Sequence, residues 1–162
     1  MSDLKEKFDT QFNILTTGLN SLAASATAAL AAAEIDNTTN LYDDVLIVCQ
    51  FVLTTGTPGG SNSVYVHGLG SNDGTIYSGD TSYSGTAAAY TLGSAGSPNM
   101  GAPATVYMPS QSITRQKAFW LSSLFGGPIP PFWSLVVVND TNIALASSGS
   151  TVTGRGLWYQ SV

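Results

Sequence analysis

The sequence predicts an all-β protein: a jelly-roll or Greek-key β-sandwich of about eight strands, preceded by one N-terminal α-helix. Three observations carry this expectation. Phe132 to Val138 is an unbroken apolar, aromatic and β-branched run. It is entered through Gly126-Gly127, Pro128, Pro130 and Pro131 and closed by Asn139-Asp140, the pattern of a buried central strand with a stiff approach. From Val45 to Leu53 the odd positions Val45, Ile47, Cys49, Phe51 and Leu53 are all apolar, whereas Asp44, Gln50 and Thr54 fall among the even ones, so one face of this strand is buried and the other is mixed. The rest of the chain after the first segment is short strand-like runs separated by Gly, Pro, Ser and Asn clusters, with little helical periodicity.

Taken in order, the elements follow from spacing and turn chemistry. Leu4, Phe8, Phe12, Leu15, Leu19 and Leu22 are spaced four, four, three, four and three apart and form one stripe of a helix over roughly 3–20, with Ser2 or Asp3 as its cap. Thr16-Thr17-Gly18 weakens its second half. A lone helix of that length is marginal in water, so the stripe needs its own domain or another subunit to cover it. This divides the chain into a helical arm, 1–22, and a sandwich domain, 23–162. The Ala-rich tract that follows gives a first strand over about 27–36. Strands are then expected over 41–54 and 63–67, with the loop 55–62 between them. A turn-rich excursion over 68–85 carries Tyr77 and Tyr83, and further strands are expected at 88–92, 105–108, 113–121, 132–138, 143–147 and 156–162.

Composition narrows the function. A chain of 162 residues can bury a full core without a disulfide, and Cys49, the only cysteine, sits in an apolar run where it reads as a small core side chain. Net charge is −5, yet five of the charged residues crowd into positions 3–9 and only Asp73 and Asp80 are charged between Val45 and Thr114. A surface of Gly, Ser, Thr, Asn and Tyr is poorly suited to repelling neighbours, a property that assemblies use. After Lys7 the only basic residues are Arg115, Lys117 and Arg155, too dispersed for a nucleic-acid footprint. No run approaches a membrane span and the N-terminus lacks a signal-peptide core, so a soluble product without a leader is expected.

Catalytic and metal chemistry have few candidates. With one histidine, His67, and one cysteine, neither a His/Cys metal site nor a Cys–His pair can be assembled. No G-x-S-x-G elbow occurs. The Gly68–Gly74 loop lacks the helix and lysine of a phosphate cradle, and Asn72, Asp73 and Asp80 match no calcium loop. Asp43 and Asp44, adjacent on a strand, face opposite sides. No enzyme activity, metal or cofactor is expected. Tyr65, Tyr77, Tyr83 and Tyr90 offer an aromatic set suited to a sugar platform, to interface anchoring or to packing.

The residues Asp36-Asn37-Thr38-Thr39-Asn40-Leu41-Tyr42-Asp43-Asp44, Val64-Tyr65-Val66-His67-Gly68 and Phe125-Gly126-Gly127-Pro128-Ile129-Pro130-Pro131-Phe132-Trp133, with Val136-Val137-Val138-Asn139-Asp140 and the closing Tyr159-Gln160, stand in an order and spacing that resembles the small jelly-roll structural proteins of tailed-bacteriophage virions. Pro131 and the long Ala tract depart from that pattern. The resemblance implies a non-enzymatic virion component assembled in the bacterial cytoplasm, either a capsid decoration or cement protein or a tail protein. Its expected partners are the major capsid protein or other virion proteins and further copies of itself, as a trimer or dimer. The expected contact residues are Leu4, Phe8, Phe12, Leu15, Leu19, Tyr77 and Tyr83. A receptor- or carbohydrate-binding module of a tail or fibre is the alternative.

Overall fold

The computed structural model describes residues 4–25, 28–78, 83–92 and 100–161. Ser2 and Asp3, considered above as helix caps, and Asp80, considered as a calcium ligand, lie outside the described residues. The described chain is all-β with two sheets. In order it forms β1 (Leu4–Phe8), β2 (Phe12–Leu15), a 3-10 turn (Thr17–Leu19), β3 (Ala28–Ala31), β4 (Ile35–Asp36) and α1 (Asn37–Asn40). There follow β5 (Asp44–Val52), β6 (Ser63–Ser71), β7 (Ala88–Thr91), β8 (Ala104–Tyr107), β9 (Thr114–Trp120), α2 (Ser122–Phe125), β10 (Phe132–Asp140) and β11 (Thr151–Ser161). The first sheet runs β1-β11-β5-β9, with β2 also on β11; the second runs β7-β3-β10-β6-β8, with β4 also on β10. Every ladder is antiparallel.

The expected N-terminal helix is not what forms. Residues 4–8 and 12–15 are strands, laid end to end along β11. Within β1 the spacing permits both readings, because the step of four from Leu4 to Phe8 keeps a side chain on one face of a strand as well as on one stripe of a helix. Between β1 and β2 the face changes, Phe8 lying outward and Phe12 inward. Within the strands the one odd step, Phe12 to Leu15, fits a helix and not a regular strand, and there the ladder shifts register between Val152 and Thr153, absorbing the extra residue. The edge of β11 offers a ladder partner that a solitary helix lacks, so tertiary pairing overrides local periodicity. Where a strand was expected over 143–147 there is a single bridge, Leu53 to Leu145.

The alternation of β5 is as expected: Val45, Ile47, Cys49 and Phe51 are fully buried against the second sheet. Between the sheets they meet Val64 and Val66 of β6 and Trp133, Leu135 and Val137 of β10, together with Leu15 and Leu19 from the N-terminal segment. β10 is buried on its other side as well. Val136 and Val138 belong to a separate cluster with Leu69, Ala29 and Ala31, covered by Tyr77, Tyr83, Tyr90, Leu92 and Met100. The residues between β6 and β8 therefore roof the outer face of the second sheet. The small side chains of β3 allow this, since Ala29 stands opposite Tyr90 in the ladder.

Both clusters behave as cores, which sets a test. Leu135→Ala opens the inter-sheet core and Leu69→Ala the roofed one; each leucine is fully buried. Each substitution is expected to lower the unfolding free energy by about 2–5 kcal/mol, read from urea titrations. A cost at Leu69 no larger than that of a surface change, within about 0.5 kcal/mol, would show that the roof adds nothing to the fold.

Candidate functional site

The polar chemistry of the molecule is mostly spent on its own backbone. Asp36 caps α1: its carboxylate accepts from the Thr38 N–H at 2.8 Å and the Thr38 hydroxyl at 2.6 Å. Hydrogen bonds from Thr38, and then from Thr39, hold its pKa below the usual carboxylate value. The Asn37 amide closes the same turn on the Tyr42 backbone, donating to its O and accepting from its N–H, both at 3.0 Å. Asp44 accepts from the N–H and hydroxyl of Ser122 and so ties β5 to the start of α2. Asp73 gathers the N–H groups of Thr75 and Ile76, which lower its pKa. None of these carboxylates faces another across a cleft. Burial pushes the Cys49 thiol up to about 12, leaving a protonated core side chain. Burial also lowers the pKa of His67, whose Nδ1 is buried without a hydrogen-bond partner. Among the described residues no group of three or more His, Cys, Asp or Glu could hold a metal, and no helix is long and apolar enough to cross a membrane.

The outward face of the first sheet is different. Ladder register puts Leu4, Glu6 and Phe8 of β1 on that face. It adds Thr153, Arg155, Leu157 and Tyr159 of β11, Leu46 and Val48 of β5, and Ala118 and Trp120 of β9. Leu4 is 73% exposed, Tyr159 53%, Phe8 44% and Trp120 38%. Phe8 and Trp120, from the two edges of the sheet, stack at 6.2 Å between ring centroids. Leu157 is buried yet belongs to neither core, so this face carries apolar packing of its own. Beside it Gln11, Leu46, Val48, Thr153 and Arg155 line a hollow of about 210 Å³. Nothing among the described residues covers this surface.

An aromatic layer under the opposite face of β11 holds the N-terminal segment in place. Gly154 and Gly156 stand at inward positions; a Cβ on Gly154 would come within 2.7 Å of the Phe12 ring, and one on Gly156 would overlap the Tyr42 ring. Phe12 and Tyr42 stack nearly parallel, 6.3 Å and 8° apart, and Trp158 follows at 6.2 Å from Tyr42. Lys7 places its ammonium 5.4 Å from the Trp158 ring centroid. The Tyr42 hydroxyl donates to Asp9 Oδ2 at 2.7 Å.

The expected contact residues separate into three groups. Leu4 and Phe8 lie on the exposed face. Phe12 packs half-buried on β11, while Leu15 and Leu19 point into the main core. Tyr77 and Tyr83, 9% and 7% exposed, meet edge to face at 4.7 Å inside the roof, where the Tyr83 hydroxyl donates to Ala32 O at 2.7 Å. With Tyr90 also buried, these rings form no exposed platform. Sequence reasoning missed Trp120, Tyr159, Leu46 and Val48. The apolar even positions Leu46, Val48 and Val52 of the mixed face of β5 were the available signal. The class so defined is an all-β two-sheet protein with one uncovered apolar sheet face. Comparison with known protein families, with curated proteins and with solved structures gives no match for this chain.

The Asp9–Tyr42 bond sets a pH test of the N-terminal anchor. Burial, then the hydrogen bond to Asp9 and its charge, push Tyr42 up to about 12 from the ordinary 10.0. A raised folded-state pKa stabilises the fold fully below pH 10, and this contribution is lost as pH climbs towards 12. In an ultraviolet phenolate titration Tyr42 should ionise late, Tyr83 being raised by burial as well, and Asp9→Asn should bring the Tyr42 step alone part of the way back towards 10.0, because the larger cause, burial, stays. Unchanged titration in Asp9→Asn would mean that the bond does not form in solution.

Proposed function

We propose that this chain is a structural protein of a tailed-bacteriophage virion, a capsid decoration or cement protein that stabilises the particle as a dimer or trimer, through contacts with the major capsid protein or with other virion proteins. The observation that carries the reading is the uncovered outward face of the first sheet. Phe8 stands opposite a buried Leu157 there and stacks on Trp120 from the other edge, with Tyr159 and Leu4 exposed further along the same face. A contiguous apolar patch on a folded surface marks a protein contact. Aromatic anchors of this kind dominate interface energetics.

The jelly-roll reading is supported by the ladders. β3 pairs β10, β5 pairs β9 and β6 pairs β8, a nested set in which successive pairs fall in alternate sheets. A two-stranded ribbon folded across a sandwich produces that nesting. At the tip of the ribbon, where a further pair would complete the first sheet beside β9, this chain instead roofs the second sheet, and β11 with β1 and β2 extends the first sheet on the other flank, beside β5.

A receptor-binding role in a tail or fibre is the second reading. It is favoured by a hollow of about 400 Å³ lined by Ser71, Asn72, Tyr77, Ser78, Phe125 and Pro130, into whose wall the Tyr77 hydroxyl is buried without a partner. Polar groups beside an aromatic wall suit a sugar.

The test is particle binding. The natural chain should sediment with particles depleted of it, at hundreds of copies per virion, and should run as an oligomer in light scattering. Phe8→Ser combined with Trp120→Ser removes a stack that packs beside Leu157 and so should lower the unfolding midpoint, but it should abolish both while leaving a cooperatively folded β protein by circular dichroism. A chain that stays monomeric at high concentration and ignores particles sinks the proposal. About a dozen copies, with glycan binding lost in Tyr77→Ala, moves it to the tail.

A further inference from the structure

We infer that β9 is a docking edge which takes up an extended, carboxylate-bearing strand of another protein as one more strand of the first sheet. This deepens the assembly reading and rests on it for the existence of a protein partner. β9 is seven residues long, pairs with β5 alone and is exposed along its whole length apart from the half-buried Phe119. No second strand pairs it among the described residues, so one row of its N–H and C=O groups faces outward. The register with β5 puts Arg115, Lys117 and Phe119 on one face and Thr114, Gln116, Ala118 and Trp120 on the other.

Charge identifies the occupant. All five cations of the chain lie on strands of the first sheet: Lys5 and Lys7 on β1, Arg115 and Lys117 on β9, and Arg155 on β11. The strands of the second sheet carry two carboxylates, Asp36 and Asp140, and no cation. The Arg115 guanidinium has no side-chain partner among the described residues, and the Lys117 ammonium gives one hydrogen to Thr105 O at 3.0 Å and keeps two.

A second copy fits this edge badly. The two-fold antiparallel register that uses all of β9 sets Lys117 against Lys117, and the one centred on Gln116 sets Arg115 against Lys117. Pairing with β1 of another copy, the two sheets continuous, brings Lys5 and Lys7 to the face of Arg115 and Lys117. The free edges of the second sheet, Ala88–Thr91 and Ala104–Tyr107, offer no carboxylate. A foreign strand with acidic residues opposite Arg115 and Lys117 meets none of these objections. Read antiparallel from Trp120, its pattern is apolar, apolar, any, acidic, any, acidic. The main-chain ladder supplies affinity, and the cations choose the partner and turn copies away.

The probe is an acetylated, amidated peptide TVVTETET, with TVVTKTKT as control, titrated into the full chain and followed by backbone amide shifts. The acidic peptide should perturb residues 114–120, bind about tenfold or more tightly than the lysine peptide, and weaken as salt rises. Arg115→Glu with Lys117→Glu should reverse the preference. Arg115→Glu alone, which breaks no contact of the fold, should halve the logarithm of the discrimination. Equal binding of both peptides, shifts confined to another face, self-association of the natural chain that the reversal abolishes, or tighter binding of a single-stranded oligonucleotide would each overturn the inference. Loss of peptide binding with particle binding intact defeats the edge alone; a natural chain that ignores particles defeats the assembly reading instead.

Discussion

The constraint on which the structure depends is that β10 is apolar on both faces. A strand of an antiparallel sheet commonly needs one cover and leaves its other side to water. With Trp133, Leu135 and Val137 on one side and Val136 and Val138 on the other, β10 needs two. The first sheet is one cover. The other is the excursion between β6 and β8, whose tyrosines lie across the alanines of β3. Polar groups finish the strand where the cover ends: Asn139, fully buried, donates to Leu22 O and Ile143 O at 3.0 and 2.9 Å and accepts from the Thr141 hydroxyl at 2.7 Å. Buried amides must be satisfied in this way or cost stability, so the exit of β10 also fixes two neighbouring chain crossings.

Using the excursion as a roof has a consequence for the first sheet. That segment is then not available to extend the sheet beyond β9, whose outer edge stays open, and the sheet grows on its other flank from the two ends of the chain, β11 beside β5 with β1 and β2 upon it. The glycines of β11 make the arrangement possible. At Gly154 and Gly156 the rings of Phe12 and Tyr42 rest directly on the strand backbone, so the N-terminal segment is held by aromatic contact on β11 as well as by Leu15 and Leu19 in the main core.

Much of this was legible in the residues, and the failures have physical causes. The strong strands β5 and β10 follow from alternation and from an unbroken β-branched run, because a period of two leaves little choice of face. The N-terminal strands were not legible: spacings of four satisfy both periodicities, and the deciding fact, an unpaired edge on β11, lies about 150 residues away in the chain. The roof was hidden for a related reason. Tyr77 and Tyr83 sit among glycines and serines and look like surface aromatics, and only the second apolar face of β10, visible as the adjacent valines 136–138, hints that something must cover them. Exposed Trp120 and Tyr159 were unreadable as site residues because tryptophan and tyrosine near a strand end are usually core.

The exposed face and the charged edges bear on each other. An apolar sheet face flanked by open edge strands is the arrangement most prone to indiscriminate sheet-to-sheet association. Here both edges carry paired cations, Lys5 with Lys7 and Arg115 with Lys117, in a chain that has only one other. Placing four of the five cations there opposes continuous pairing between copies at both edges of the first sheet. It leaves the apolar face free for contact by its surface, through Phe8, Trp120 and Tyr159, rather than by its hydrogen-bonding rim. The remainder of the surface is hydroxyl-rich and net negative, since the chain carries −5 overall and keeps four of its five cations on these edges. Specificity must then come from geometry on the face and from charge on the edges, the division of labour expected where one molecule has to join a particular assembly without polymerising on its own.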